Sequence, residues 1–273
     1  MVSRIAAIGL LVSVMGAGCS HENPLQSSQE DQMTQSVDGV EFAAPSVSNE
    51  VLERWRHRDP VTFEVRIENV STAETLPVST GGFAPIPLSP GVWTVTNRIN
   101  PLYRPGAYDY GDGLEQIAED GDPSILGPNV AAYPHVKSSG IFDTPEGAAG
   151  PQPAFPGQSF VFTIEAKAGD VLSFATMFAQ SNDLFYGPGP FGIRLFNGWG
   201  IPRSGEVTQH VFLWDAGTEV NQEPGVGPDQ APRQAAPNTG ESEHKRVWFV
   251  HDDYKYPNRR EVIKVTITPM DGV

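Results

Sequence analysis

The segment Val61-Thr62-Phe63-Glu64-Val65-Arg66-Ile67-Glu68 alternates apolar and polar residues without a break. Successive side chains of a β-strand point to opposite faces, so Val61, Phe63, Val65 and Ile67 are expected on one buried face. The same period returns over Ser159–Ala166, with Phe160, Phe162 and Ile164 on one side. Around such runs the chain carries 28 Gly and 25 Pro. Glycine supplies positive φ and proline a fixed φ in turns, so the composition favours many short strands joined by tight connections.

Further strands are expected at 91–96, at Val171–Phe178 after a Gly169-Asp170 hairpin turn, and at 193–196, 207–214, 246–250 and 261–268. One short helix is expected over 112–119, with Leu114, Ile117 and Ala118 on one face and Gly121 as its stop. Residues 72–91, 121–158, 187–192 and 224–240 read as Pro/Gly-rich or polar loops. These elements predict an all-β fold: an antiparallel eight-stranded β-sandwich with a short helix and long Pro/Gly-rich loops.

The amino terminus has a different character. Arg4 is followed by an uncharged apolar run from Ile5 to Met15, then by Gly16-Ala17-Gly18 and the single cysteine, Cys19. Eleven helical residues span about 16 Å, too short for the ~30 Å hydrocarbon core of a bilayer. The layout is that of a signal peptide over 1–19. Its small-small-Cys ending resembles a bacterial lipobox, with Gly16 where an apolar residue such as Leu is usual. That resemblance implies lipidation of Cys19 and an exported protein at the cell envelope, on the outer membrane or cell surface; an incidental cysteine past an ordinary cleavage site is the simpler alternative. Residues 20–57 are mostly polar and are expected to form a disordered tether, with a short turn of helix expected at 51–58. The folded domain is expected over 58–273.

The formal charge of −15 repels nucleic acid and anionic lipid and points to cations or basic groups as partners. With one cysteine no intrachain disulfide can form. Core packing, with a bound ion as a candidate second support, must hold the domain together.

The acidic loops supply candidate ligands. Asp183 follows the strand expected at Val171–Phe178, and Asp215 and Glu219 follow the strand expected at 207–214. Gly217 allows a sharp turn between the last two. Hard divalent cations take oxygen ligands, and Ca²⁺ accepts about 6–8 of them in a tolerant geometry that loops can provide. Any one of these carboxylates alone would read as a solvated loop residue.

These residues carry a family resemblance. Ser181-Asn182-Asp183-Leu184-Phe185 with Trp214-Asp215-Ala216-Gly217-Thr218-Glu219 resembles the spondin amino-terminal domain of F-spondin and mindin. Leu172-Ser173-Phe174-Ala175-Thr176-Met177, the segment from Gly113 to Gly121 and Pro156-Gly157-Gln158-Ser159 follow in that family's order, over roughly residues 58–270. The resemblance implies an eight-stranded sandwich and calcium at Asp183, Asp215 and Glu219. Glu165 is a fourth candidate that requires a one-residue gap; otherwise it is an exposed strand carboxylate.

Catalytic patterns are not evident. The six histidines show no H-x-x-x-H pairing, and Gly240-Glu241-Ser242-Glu243-His244 only superficially resembles a nucleophile elbow. The acids at 109–112 and 120–122 read as turn and helix-boundary residues, and the aromatics Phe185, Tyr186, Phe191, Phe196 and Trp199 as core. The expectation is a non-enzymatic, lipid-anchored, calcium-binding adhesion module with an extracellular protein or glycan partner. The alternative is a secreted metal-dependent hydrolase on a sandwich scaffold.

Overall fold

The computed structural model describes residues 59–270. The signal peptide, Cys19, the tether and the turn expected at 51–58 lie outside the described residues. Eight strands have five residues or more: β1 (Val61–Asn69), β4 (Leu88–Thr96), β5 (Val136–Phe142), β6 (Ser159–Ala166), β7 (Val171–Phe178), β8 (Leu184–Pro188), β11 (Val211–Asp215) and β13 (Ile263–Pro269). Five two-residue strands complete the set: β2 (Leu76–Pro77), β3 (Phe83–Ala84), β9 (Ile193–Arg194), β10 (Gly205–Glu206) and β12 (Trp248–Phe249). All strand pairings are antiparallel.

One sheet runs β10-β13-β1-β6 and the other β12-β11-β8-β7-β4-β5. The alternation of β1 is realised fully: Val61, Phe63, Val65 and Ile67 are buried while the residues between them are half-buried. They meet Phe160, Ile164, Val265 and Ile267 of their own sheet and Leu172, Phe174, Phe178, Leu184 and Tyr186 of the facing one. This inter-sheet layer is the main core, and apolar burial is its driving force.

A second apolar layer lies on the outer face of the larger sheet. Helices α1 (Leu114–Asp120) and α2 (Leu126–Ala131) set Leu114, Ile117, Ala118, Leu126 and Val130 against Val92, Ala175, Phe185 and Trp214. Helix α1 stops where expected, because Gly121 adopts φ 70 and its N–H bonds the carbonyls of Gln116 and Ile117. Sandwiched between two layers, β7 and β8 are buried along their whole length. Asp109 and Asp122 accept from the N–H groups of Gly111 and Ser124 as turn residues do. Among the described residues no helix is long and apolar enough to cross a membrane.

Candidate metal centre

Strands β8 and β11 are neighbours paired Leu184 to Asp215, so Asp183 and Asp215 emerge side by side at one end of the larger sheet. The chain then reverses. Asp215 Oδ1 accepts the Gly217 N–H at 2.8 Å, and Asp183 Oδ2 accepts those of Thr218 at 2.8 Å and Glu219 at 3.1 Å. Each carboxylate thus satisfies donors that the turn would otherwise leave unpaired. Asn221 Nδ2 donates to Asp215 Oδ2 at 2.8 Å.

A third carboxylate arrives from a later segment. The N–H groups of Glu243 and Lys245 bond the carbonyls of Thr218 and Gly217, both at 2.8 Å, and Val220 N–H bonds the Glu241 carbonyl. This ladder lays 241–245 beside 217–220 and brings Glu243 to the aspartates. Gly217 makes the approach possible: it has φ 73, and a Cβ there would sit 2.8 Å from the Lys245 backbone. One oxygen from each of Asp183, Asp215 and Glu243 lies within 4.8 Å of the others. This buried acidic triad can hold a metal ion.

Several oxygens here have no donor. Asp183 Oδ1, Glu243 Oε1 and Asn221 Oδ1 are buried and unpartnered. Asp183 is 0% exposed and Asp215 8%. Acceptor atoms withdrawn from water without a donor are costly, and a cation satisfies several at once. Lys245 Nζ lies 2.5 Å from Glu243 Oε2, but its side chain is largely exposed and it reaches only one of the three acids. Burial, then the charge of Asp215, holds the Asp183 carboxyl well above the usual range, against the pull of the Thr218 and Glu219 N–H groups. Burial also raises Asp215, opposed by its bonds from Asn221 and Gly217.

Two of the expected ligands are placed elsewhere. Glu219 is buried, but its carboxylate turns away from the triad: Oε1 accepts the Gly240 N–H at 2.9 Å and Oε2 the Asn182 amide at 3.3 Å. The pairing of Glu219 with Ser242 fixes that direction. Its structural contribution is the backbone N–H it donates to Asp183. Glu165 lies on the other sheet, exposed and opposite Thr62, at the end where β6 turns into β7. The eight residues of β7 separate it from Asp183 by about 26 Å.

Glu243 and Asn221 are the residues that sequence reasoning missed. The only signal for Glu243 was the alternation of Glu241 and Glu243 in a segment that matched no strand. Glu119 is a further omission. It sits on α1, 1% exposed, with neither carboxylate oxygen hydrogen-bonded. Burial pushes its pKa up to about 8, opposed by the neighbouring Thr218 side chain and reinforced by the charges of Glu219, Glu115 and Asp183. Phe191 and Trp199, expected in the core, are 71% and 87% exposed, whereas Phe185, Tyr186 and Phe196 are buried. The glycine-rich turns around the two exposed rings carry them clear of both apolar layers.

No protein-family model matches the chain, and no curated protein is significantly similar to it.

Proposed function

We propose that this chain is an exported calcium-binding β-sandwich module of the spondin type, held at the cell envelope by lipid on Cys19. The observation that carries the reading is the set of donorless buried oxygens on Asp183, Glu243 and Asn221 beside Asp215. All candidate ligands are carboxylate or amide oxygens, with no histidine or cysteine among them, which suits a hard cation. They come from irregular loops at unequal reach, a condition Ca²⁺ tolerates better than octahedral Mg²⁺. The spondin resemblance supports the same ion, with Glu243 taking the role first assigned to Glu219.

The ion is structural in this reading. A catalytic metal needs an open coordination position reached by substrate and a base beside it. Here two of the acids are almost wholly enclosed by the turn at 216–221 and the segment at 240–245. Neutralising them fixes both loops and the short strand β12, whose residues pair with Trp214 and Asp215. Trp248 and Phe249 are 53% and 46% exposed there, and Phe249 stacks on Trp214 at 4.5 Å. Rigid exposed rings on loops ordered in advance make effective contacts for a protein or glycan partner. Calorimetric titration of the full chain with Ca²⁺ tests the proposal: one site and a calcium-dependent rise in melting temperature support it. Melting that is identical in calcium and in chelator would remove calcium from the account.

A further inference from the structure

The end of the sandwich opposite the acidic site carries three arginines of the larger sheet's loops and strands. Thr96 at the end of β4 pairs with Val171 at the start of β7, and Arg194 of β9 pairs with the same Val171. The 97–100 loop, the 189–192 turn and the 203–210 segment therefore gather where β7 begins, whereas the acids lie beyond where it ends. Arg98 and Arg194 border one cleft here, and Arg194 and Arg203 a second. Among the described residues their side chains make no ion pair or hydrogen bond, a notable economy in a chain with only 18 Lys and Arg against 33 acids. Asp170, the buried acid at this end, is already held by Lys137 Nζ at 2.5 Å and the Lys167 N–H at 2.9 Å. Asp59, Glu165 and Glu206 are exposed on the smaller sheet's side, and Asp112 accepts from Tyr133, which lines a cleft with Arg98.

Apolar groups are exposed at the same end. Trp199 and Phe191, at 87% and 71% exposure, are the two most exposed large apolar side chains among the described residues, and Ile99 is 53% exposed. Three clefts of about 710, 340 and 410 Å³ share Phe191 as a wall; Arg98 borders the first two and Arg194 the last two. The folded chain also begins at this end, because Val61 pairs with Ala166 just before the turn into β7. On the lipid-anchor reading, the anchored chain joins the described domain at the end away from the acidic site.

We propose that this end docks on an anionic phospholipid surface, with Arg98, Arg194 and Arg203 on the headgroups and Phe191 and Trp199 inserted at the interface. Apolar rings beside unpaired cations are what such a surface selects. The orientation argument rests on the lipid-anchor reading; the charge and exposure arguments do not. Contact is independent of calcium, since the acidic site lies at the far end.

The full chain with Cys19→Ser, which cannot be acylated, separates the two. It is sedimented with phosphatidylglycerol/phosphatidylcholine vesicles and with pure phosphatidylcholine vesicles, in chelator. Binding is expected to the anionic vesicles only. Each Arg→Gln change should weaken it about fivefold, from about 1 kcal/mol per basic residue, and the triple variant about a hundredfold. Phe191→Ser should weaken it as well. All these residues are surface groups, and salt provides a check on the unmodified surface. Raising salt from about 0.1 M to about 1 M, which shortens screening from about 10 Å to about 3 Å, should release the protein. Equal binding to neutral vesicles, retention by the triple variant, dependence on calcium, or capture by an acidic polysaccharide but not by vesicles would each overturn the proposal. Fractionation of cells expressing the parent and Cys19→Ser chains tests the anchor alone, so failure of one reading leaves the other standing.

Discussion

Glu243→Gln separates the triad drawn by the fold from the ligand set expected from sequence. The oxygens involved lie within 4.8 Å of one another. At an effective dielectric constant of about 20, two unit charges at that distance repel by about 3.5 kcal/mol. Glutamine removes Glu243 from two such pairs and sacrifices only its contact with the exposed Lys245, worth about 0–1 kcal/mol. Without calcium the variant should therefore be at least as stable as the parent, by zero to about 3 kcal/mol, the upper figure holding when one of its two partners is ionised. With free calcium at about 100 times the dissociation constant, the parent should gain about 2.7 kcal/mol. For a domain of this size that is a rise of about 5–11 °C in melting temperature. Differential scanning fluorimetry in chelator and in calcium reads both quantities. The rise should collapse in Glu243→Gln and persist in Glu219→Gln, whose carboxylate faces Gly240 and Asn182. A variant that melts lower in chelator yet keeps the full calcium shift would refute the reasoning.

Glu119 binds a proton more tightly in the folded chain than in the unfolded one, its pKa lying at about 8. Its stabilising contribution is complete below its ordinary value and is lost as pH rises through about 8, so chelated protein should weaken across that window in urea titrations. Glu119→Gln should flatten the decline. Gly217→Ala should cost more than about 1 kcal/mol, since φ 73 is unfavourable for alanine and the new methyl meets the Lys245 backbone. Calcium titration of that variant should show loss of affinity together with the lower melting temperature. Cys19→Ser should move the protein from the membrane fraction to the soluble exported fraction, as immunoblotting of fractions would read.

The strands that sequence displayed most clearly are β1 and β6, whose polar positions are the more exposed. The alternation in β1 and β6 was legible because side-chain period two maps directly on burial. The Gly169-Asp170 turn was legible as a turn but closes no hairpin, because β6 and β7 lie in different sheets. Helix α1 was legible from Leu114, Ile117 and Ala118 with Gly121 beyond. Strand β8 was not, because all five of its residues are buried between core and helices, removing any alternation, and it ends in Gly187-Pro188. Strand β5 was hidden for the opposite reason: it is a sheet edge whose seven residues include only one that is buried, Phe142. Helix α2 escaped because its six residues contain Gly127 and Pro128. At the site, Asp183 and Asp215 were readable as strand-end acids on loops. Glu243 was not, since its position depends on a backbone ladder between 217–220 and 241–245 that no local pattern announces.

A crystal structure of the protein grown in calcium, with the anomalous signal of the ion, tests the central claim most directly. The account predicts one cation within about 2.3–2.6 Å of oxygens from Asp183, Asp215 and Glu243, with Asn221 Oδ1 turned toward it. No ion at the triad in calcium, with Lys245 still on Glu243 and the same oxygens donorless, would contradict it.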